Sequence, residues 1–186
     1  MSTKFRLAAL CAASLFLPAC LSSGLPELGQ VPPFSLTSED GQPFHSAAEL
    51  NGKVWIADFI FTTCNGPCPR MTALMRKVQD ATAEFDDVQI VSFTVDPKND
   101  TPEKLAEYAR RFHYNPARWH FLTGPPAELE KLSNDTFHLG GLGPEHGTRF
   151  AVVDRKGRIR AYYESTSTGA IGQLVEDVRK LRKELL

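Results

Sequence analysis

The sequence predicts one α/β domain: a central mixed β-sheet flanked by helices, with a β-hairpin at its N-terminal end. Three observations predict it. Strand-like apolar runs alternate with helix-patterned segments in the order βαβα through the first half of the chain. A turn at Arg155, Lys156 and Gly157 then folds two further strands into an antiparallel hairpin before a closing amphipathic helix. Finally, Cys64 and Cys68 stand at the first strand-to-helix turn, where open α/β sheets place their sites.

The chain opens with a segment that precedes this domain. Residues 1–19, MSTKFRLAALCAASLFLPA, carry Lys4 and Arg6, no acidic residue, and an apolar stretch too short to span a bilayer, which reads as a secretory signal. They run into LPAC, a stretch that resembles the bacterial lipobox, with Pro18 as an unusual occupant. That resemblance implies lipidation at Cys20; an ordinary signal with a chance cysteine is the alternative. Residues 20–32, broken by Gly and Pro, read as a flexible tether, and residues 33–186 as the domain. Without Lys4 and Arg6, 19 basic residues face 22 acidic ones, a formal charge of −3, and so near-neutral a surface argues against nucleic acid as a partner.

Each element has its own signal. FSLTSEDGQPFH places an Asp-Gly turn between two short extended pieces. KVWIADFIF, residues 53–61, is a nearly continuous apolar run, as expected of a strand buried on both faces. From Pro67 to about Phe85, Met71, Leu74, Met75, Val78 and Ala81 recur at helical spacing. VQIVSFTV is the next strand, and after DPKNDTP a helix begins with Thr101 as N-cap and Pro102 at the first helical position. RWHFLTG reads as a short strand, PPAELEKLSNDTF as a short helix, GTRFAVVDRKGRIRAYYES as the hairpin and GAIGQLVEDVRKLRKELL as the last helix. A βαβ half followed by a ββα half, with cysteines at the first βα turn, is the thioredoxin-like plan.

The cysteines carry the chemistry. With Cys11 in the signal and Cys20 lipidated, Cys64 and Cys68 are the remaining thiols of an exported chain, so they form a bridge or a working site. Their place at a helix N-terminus predicts lowered thiol pKa values. The C-x-x-x-C spacing lets the sulfurs close a disulfide or hold one ion. Two thiolates suit copper(I), and an added imidazole suits copper(II) or zinc. Read blandly, the same pair is core thiols or a permanent structural bridge. Of the histidines, His45 falls in the first hairpin, His113 after a helix, His120 in a strand and His138 in a loop. His146, in GLGPEHGTRFAVVD, sits in a glycine-rich loop that feeds a strand. From the residues alone, redox pair, metal clamp and structural pair remain open.

FTTCNGPCPRMT, FTVDPKNDTPEKLAEYARRF and EHGTRFAVVDRKGRIR follow one another as in the Sco/SenC family, which this chain resembles from about Val31 to Leu186. These are thioredoxin-like copper proteins concerned with assembling the copper centre of cytochrome c oxidase. The resemblance implies copper, as Cu(I) or Cu(II), on Cys64, Cys68 and His146. It sets Asp96 beside the metal or facing a partner, where a plain turn former is an equal reading, and leaves Asp100 to turn and capping chemistry. It further implies a Cys64–Cys68 disulfide that switches binding off. The partners implied are the copper-site subunit of the oxidase, a thioredoxin-like reductase, and another periplasmic copper chaperone. The place implied is the bacterial cell envelope, facing the periplasm and held to the membrane by lipid. The chain departs from the family at Asn65, Pro67 and Gly147, the last where Ser or Thr usually follows the histidine. A thiol-disulfide oxidoreductase using Cys64 or Cys68 as attacking thiolate is the alternative, with His146 dispensable. A peroxiredoxin-like reading finds no fitting threonine and arginine.

Overall fold

The computed structural model describes residues 24–140 and 147–184. Its strands are β1 (Gly29–Gln30), β2 (Ser35–Ser38), β3 (Pro43–His45), β4 (Val54–Ile60), β5 (Val88–Thr94), β6 (Trp119–Thr123), β7 (Arg149–Val153) and β8 (Arg158–Glu164). Its helices are α1 (Ser46–Glu49), α2 (Pro67–Ala81), α3 (Pro102–Arg111), α4 (Pro126–Lys131) and α5 (Ala170–Lys183), with a π-helical turn at Leu132–Thr136. All strands join one sheet in the order β1-β8-β7-β4-β5-β6-β2-β3. The β4–β5 and β5–β6 pairs are parallel, whereas β7 is antiparallel to both β4 and β8, so the sheet is mixed as expected.

Every residue of β4 and β5 is buried, because helices cover both faces of the sheet at its centre. Val54, Ile56 and Ile60 pack with Met71, Met75 and Val78 of α2, Leu105 of α3 and Leu174 of α5. Trp55, Ala57 and Phe59 point the other way, onto Leu129, Leu132 and Phe137. Alternation along one strand thus feeds two separate cores.

The helix ends follow local chemistry. Thr101 caps α3, accepting the Lys104 N–H, with Pro102 just inside. The helix expected to reach Phe85 stops at Ala81. There the Thr82 hydroxyl bonds back to the Val78 carbonyl at 2.8 Å, and the Phe85 N–H turns onto the Thr82 carbonyl. After α4 the chain widens by one residue, with the Phe137 N–H reaching the Leu132 carbonyl at 2.8 Å. That extra residue swings Phe137 inward between the rings of Trp55 and Phe59, at 5.9 and 5.6 Å.

At the N-terminal end the expected hairpin forms, and one expectation changes. The hairpin of β2 and β3 belongs to the main sheet through the β2–β6 pair, and the buried Glu39 accepts the Phe121 N–H at 2.9 Å beside it. The flexible tether expected over residues 20–32 is fixed from Leu25 onward. β1 pairs with β8, and the Leu28 and Val31 N–H groups donate to the carbonyls of Ile159 and Gly157. Buried Arg160 donates to the carbonyls of Leu25 at 2.6 Å and Pro26 at 2.9 Å, while pairing with Asp154 and Glu184 at 2.8 Å each. Gly and Pro placed a chain break in the reading. They did not reveal a long-range guanidinium that gathers two backbone carbonyls.

Candidate metal centre

Cys64 and Cys68 sit where β4 hands over to α2. The Cys64 N–H bonds to the Phe61 carbonyl at 3.3 Å and closes the turn, and the Gly66 N–H points at the Cys64 sulfur at 3.4 Å. Pro67 is the first residue of α2 and Cys68 lies in its first turn. The Cys68 carbonyl accepts the Thr72 hydroxyl at 2.9 Å, and Thr72 in turn meets the Tyr108 hydroxyl at 2.8 Å. No disulfide joins the cysteines, and their thiols are within hydrogen-bonding reach of one another. Cys64 is 8% exposed and Cys68 fully buried, so the pair presents one sulfur outward and one inward.

The expected lowering of thiol pKa at the helix N-terminus does not hold for Cys68. Burial pushes its thiol well up, and the hydrogen bond from Cys64 adds to this; only the backbone of Phe61 pulls the other way. Desolvation outweighs the helix dipole because no water reaches this sulfur.

Beneath the pair lies an acid that the sequence reading passed over. Asp58, in the middle of β4, is completely buried on the α2 side and pushed by burial up to about 7. The Trp119 indole N–H donates to the Ser92 hydroxyl at 3.0 Å, and Ser92 donates to Asp58 Oδ1 at 2.6 Å. Its Oδ2 has no hydrogen-bond partner among the described residues. The signal was present in VWIADFIF, where one acid interrupts a strand that has no exposed face.

The two aspartates of the DPKNDTP block have distinct tasks. Asp96 is partly exposed and accepts the Asn99 side-chain amide at 2.8 Å, while its own N–H bonds to the Thr94 hydroxyl at 2.9 Å. Asp100, expected to serve turn and capping chemistry, is fully buried. It accepts the Thr62 hydroxyl at 2.5 Å, the Thr62 N–H at 3.1 Å and the Thr94 hydroxyl at 2.5 Å. It therefore ties the chain leading into Cys64 to the end of β5.

No described histidine joins the cysteines. His45 bonds to Ser35, His120 meets Gln89 and the Phe44 ring, and His138 bonds to the Asn134 carbonyl. Among the described residues no three His, Cys, Asp or Glu side chains are gathered to hold a metal ion. His146 and Cys20 lie outside the described residues. Gly147, which follows His146, is described: its N–H meets the Leu139 carbonyl, and a Cβ there would lie 2.8 Å from that oxygen. Because β7 runs antiparallel to β4, with Ala151 opposite Ala57, the start of β7 lies at the same end of the sheet as Cys64.

A mixed sheet of this order, with a dithiol at the turn from a central parallel strand to a helix, defines a thioredoxin-like protein with a paired-thiol site. The SCO1/SenC family model matches residues 26–183, and the chain belongs to that family. It is similar to a SCO1/SenC family lipoprotein from Bacillus anthracis: TM-score 0.77, 37% identity, covering 83% of this chain and 96% of the other. It is also similar to BsSco, a member of the Sco family of cytochrome c oxidase assembly proteins in which a disulfide switch has been identified: TM-score 0.78, 32% identity, covering 87% and 98%. With Bradyrhizobium japonicum ScoI, a structure with copper bound, it shares the fold at TM-score 0.65 and 23% identity, covering 81% and 98%.

Proposed function

We propose that this chain binds copper through Cys64, Cys68 and His146 and passes it to the copper-site subunit of cytochrome c oxidase, while lipid on Cys20 holds it to the periplasm-facing side of a bacterial membrane. The observation that carries the reading is the pair of thiols at the sheet end, close enough to bond to each other, with Cys64 alone reaching the surface. Two soft sulfurs side by side suit Cu(I), and an imidazole as third donor extends the site to Cu(II). The start of β7 at the cysteine end supports His146 as that donor. Copper bound in Bradyrhizobium ScoI, the oxidase-assembly role of BsSco's family and the lipoprotein character of the Bacillus anthracis relative support the ion, the target and the anchor.

Copper here is cargo. It would enter from another periplasmic copper chaperone and leave by ligand exchange, with Cys64 the first sulfur a partner can reach. A disulfide of an oxidising partner would take two electrons and two protons from the thiols and become two thiols itself, while Cys64 and Cys68 join and two donors are lost at once. A thioredoxin-like reductase returns both and restores the site. Asp96, partly exposed beside the turn, is suited to contact the incoming partner.

The test is the absorption of the reduced protein loaded with copper(II). The thiolate charge-transfer band should weaken or shift in His146→Ala as much as in Cys64→Ser or Cys68→Ser. A band indifferent to His146→Ala sinks the three-donor site. The second reading, a thiol-disulfide reductase acting on a copper-site subunit, is favoured by one observation: two reduced thiols in contact, one of them reaching the surface. Rapid metal-free turnover of a disulfide substrate by His146→Ala protein would select it.

A further inference from the structure

We infer that the domain rests on the lipid surface through the end that carries Leu28 and the β7–β8 turn, and that the cysteine end faces away from the bilayer. The inference rests on the lipid attachment at Cys20 proposed above.

The N-terminal segment enters at the end of the sheet opposite the thiols. Arg160 gathers the Leu25 and Pro26 carbonyls, Asp154 of the β7–β8 turn and Glu184 just past α5 around one guanidinium. That turn follows Val153, which pairs with Trp55 near the start of β4, whereas Cys64 follows the end of β4. The seven residues of β4 alone separate the two ends by about 20 Å.

From Leu25 the chain has little reach. Whatever their conformation, the five steps from Cys20 to Leu25 span at most about 18 Å of backbone. A domain of this size is roughly 40 Å across. To lay the cysteine end on the membrane, the leash would have to be about as long as the domain is tall, and it is less than half that. The clamp at Arg160 thus shortens a nominal linker to a leash that cannot lay the cysteine end on the bilayer.

The surface at that end agrees. Leu28, in the clamped segment, is 44% exposed and is the exposed large hydrophobic residue among those described. Most carboxylates at that end are answered: Glu27 by Arg158, Asp154 by Arg158 and Arg160, Glu184 by Arg160, Asp87 by Arg155 and Arg182, while Asp86 is exposed. An apolar side chain among mostly paired charges suits the headgroup boundary, into which such groups sink by about 5–10 Å. A copper site served by this protein would then have to stand clear of the bilayer.

The experiment uses processed, full-length protein in vesicles of phosphatidylethanolamine and phosphatidylglycerol, with or without bromine on the acyl chains. Two variants carry the probe: Leu28→Trp, and Lys98→Trp on the exposed turn at the cysteine end. Trp55 and Trp119 are buried in both and give a constant background. After that background is subtracted, bromine should lower the emission of the Leu28→Trp probe by about twofold and leave that of the Lys98→Trp probe unchanged. Equal quenching of the two, stronger quenching of Lys98→Trp, or none in either while mass spectrometry shows lipid on Cys20, overturns the orientation and leaves the anchor standing. A mass without lipid overturns the anchor, and the orientation with it.

Discussion

Asp100 accepts the Thr62 hydroxyl at 2.5 Å across 38 residues of sequence, so the turn that bears Cys64 hangs on the second aspartate of the DPKNDTP block. The same carboxylate takes the Thr94 hydroxyl from the end of β5. Asp100→Ala leaves two hydroxyls and an N–H without their acceptor in a buried place. The expected loss is about 3 kcal/mol in urea denaturation, with faster amide exchange around Thr62. Asp100→Asn should recover part of it. If Asp100→Ala unfolds at the wild-type midpoint, the carboxylate does not hold the turn.

The difference in burial between the thiols predicts an order of reaction. Iodoacetamide should modify Cys64 first in the folded, reduced protein, and Cys68 in a Cys64→Ser variant should react at least about tenfold more slowly than Cys64 in Cys68→Ser. Burial keeps Cys68 both out of reach and protonated. Mass mapping of the labelled peptide reads this directly. Equal rates would mean that the turn opens freely.

Asp58 predicts a pH dependence of stability. Burial raises its pKa to about 7, so the folded state favours the protonated acid. Its contribution is whole below about pH 4, where the unfolded chain also holds the proton, and is lost as pH rises through 7. Asp58→Asn keeps an acceptor for Ser92 and cannot ionise. It should therefore be more stable than wild type at pH 8, by on the order of 3 kcal/mol, with the gap closing toward pH 4. Thermal denaturation at the two pH values decides it; a gap that grows on acidification would refute the assignment.

These three residues also show how far the sequence could be read. β4, α3 and the last hairpin follow from patterns confined to a few neighbours: an unbroken apolar run, Thr-Pro before a helix, a glycine turn. The position of Cys64 and Cys68 was legible for the same reason. Asp100 looked like turn chemistry because its partner Thr62 is distant in sequence, and Asp58 vanished inside its own apolar run. The inward swing of Phe137 depends on one extra residue in a helical turn, which hydrophobic spacing does not report. The unexpected state of Cys68 turned on burial, which opposed the helix-terminus effect and won.

The Arg160 clamp predicts local release. Arg160→Met keeps the length of the side chain and removes five donors, freeing the Leu25 and Pro26 carbonyls and leaving Glu184 without its cation. Protease cleavage within residues 24–28 should become readily visible, with a global cost of about 3 kcal/mol from the broken buried pair. Full resistance in that segment would show that β1 alone holds it.

The order of strands leaves β1, two residues long, at one margin of the sheet and β3, three residues beginning with Pro43, at the other. Each of these outermost strands is too short to template another chain by itself, and Pro43 has no N–H to give. Edge-to-edge pairing is the hazard that any open sheet carries. By ending its sheet in fragments this protein limits the backbone that its outermost strands offer to a neighbouring copy.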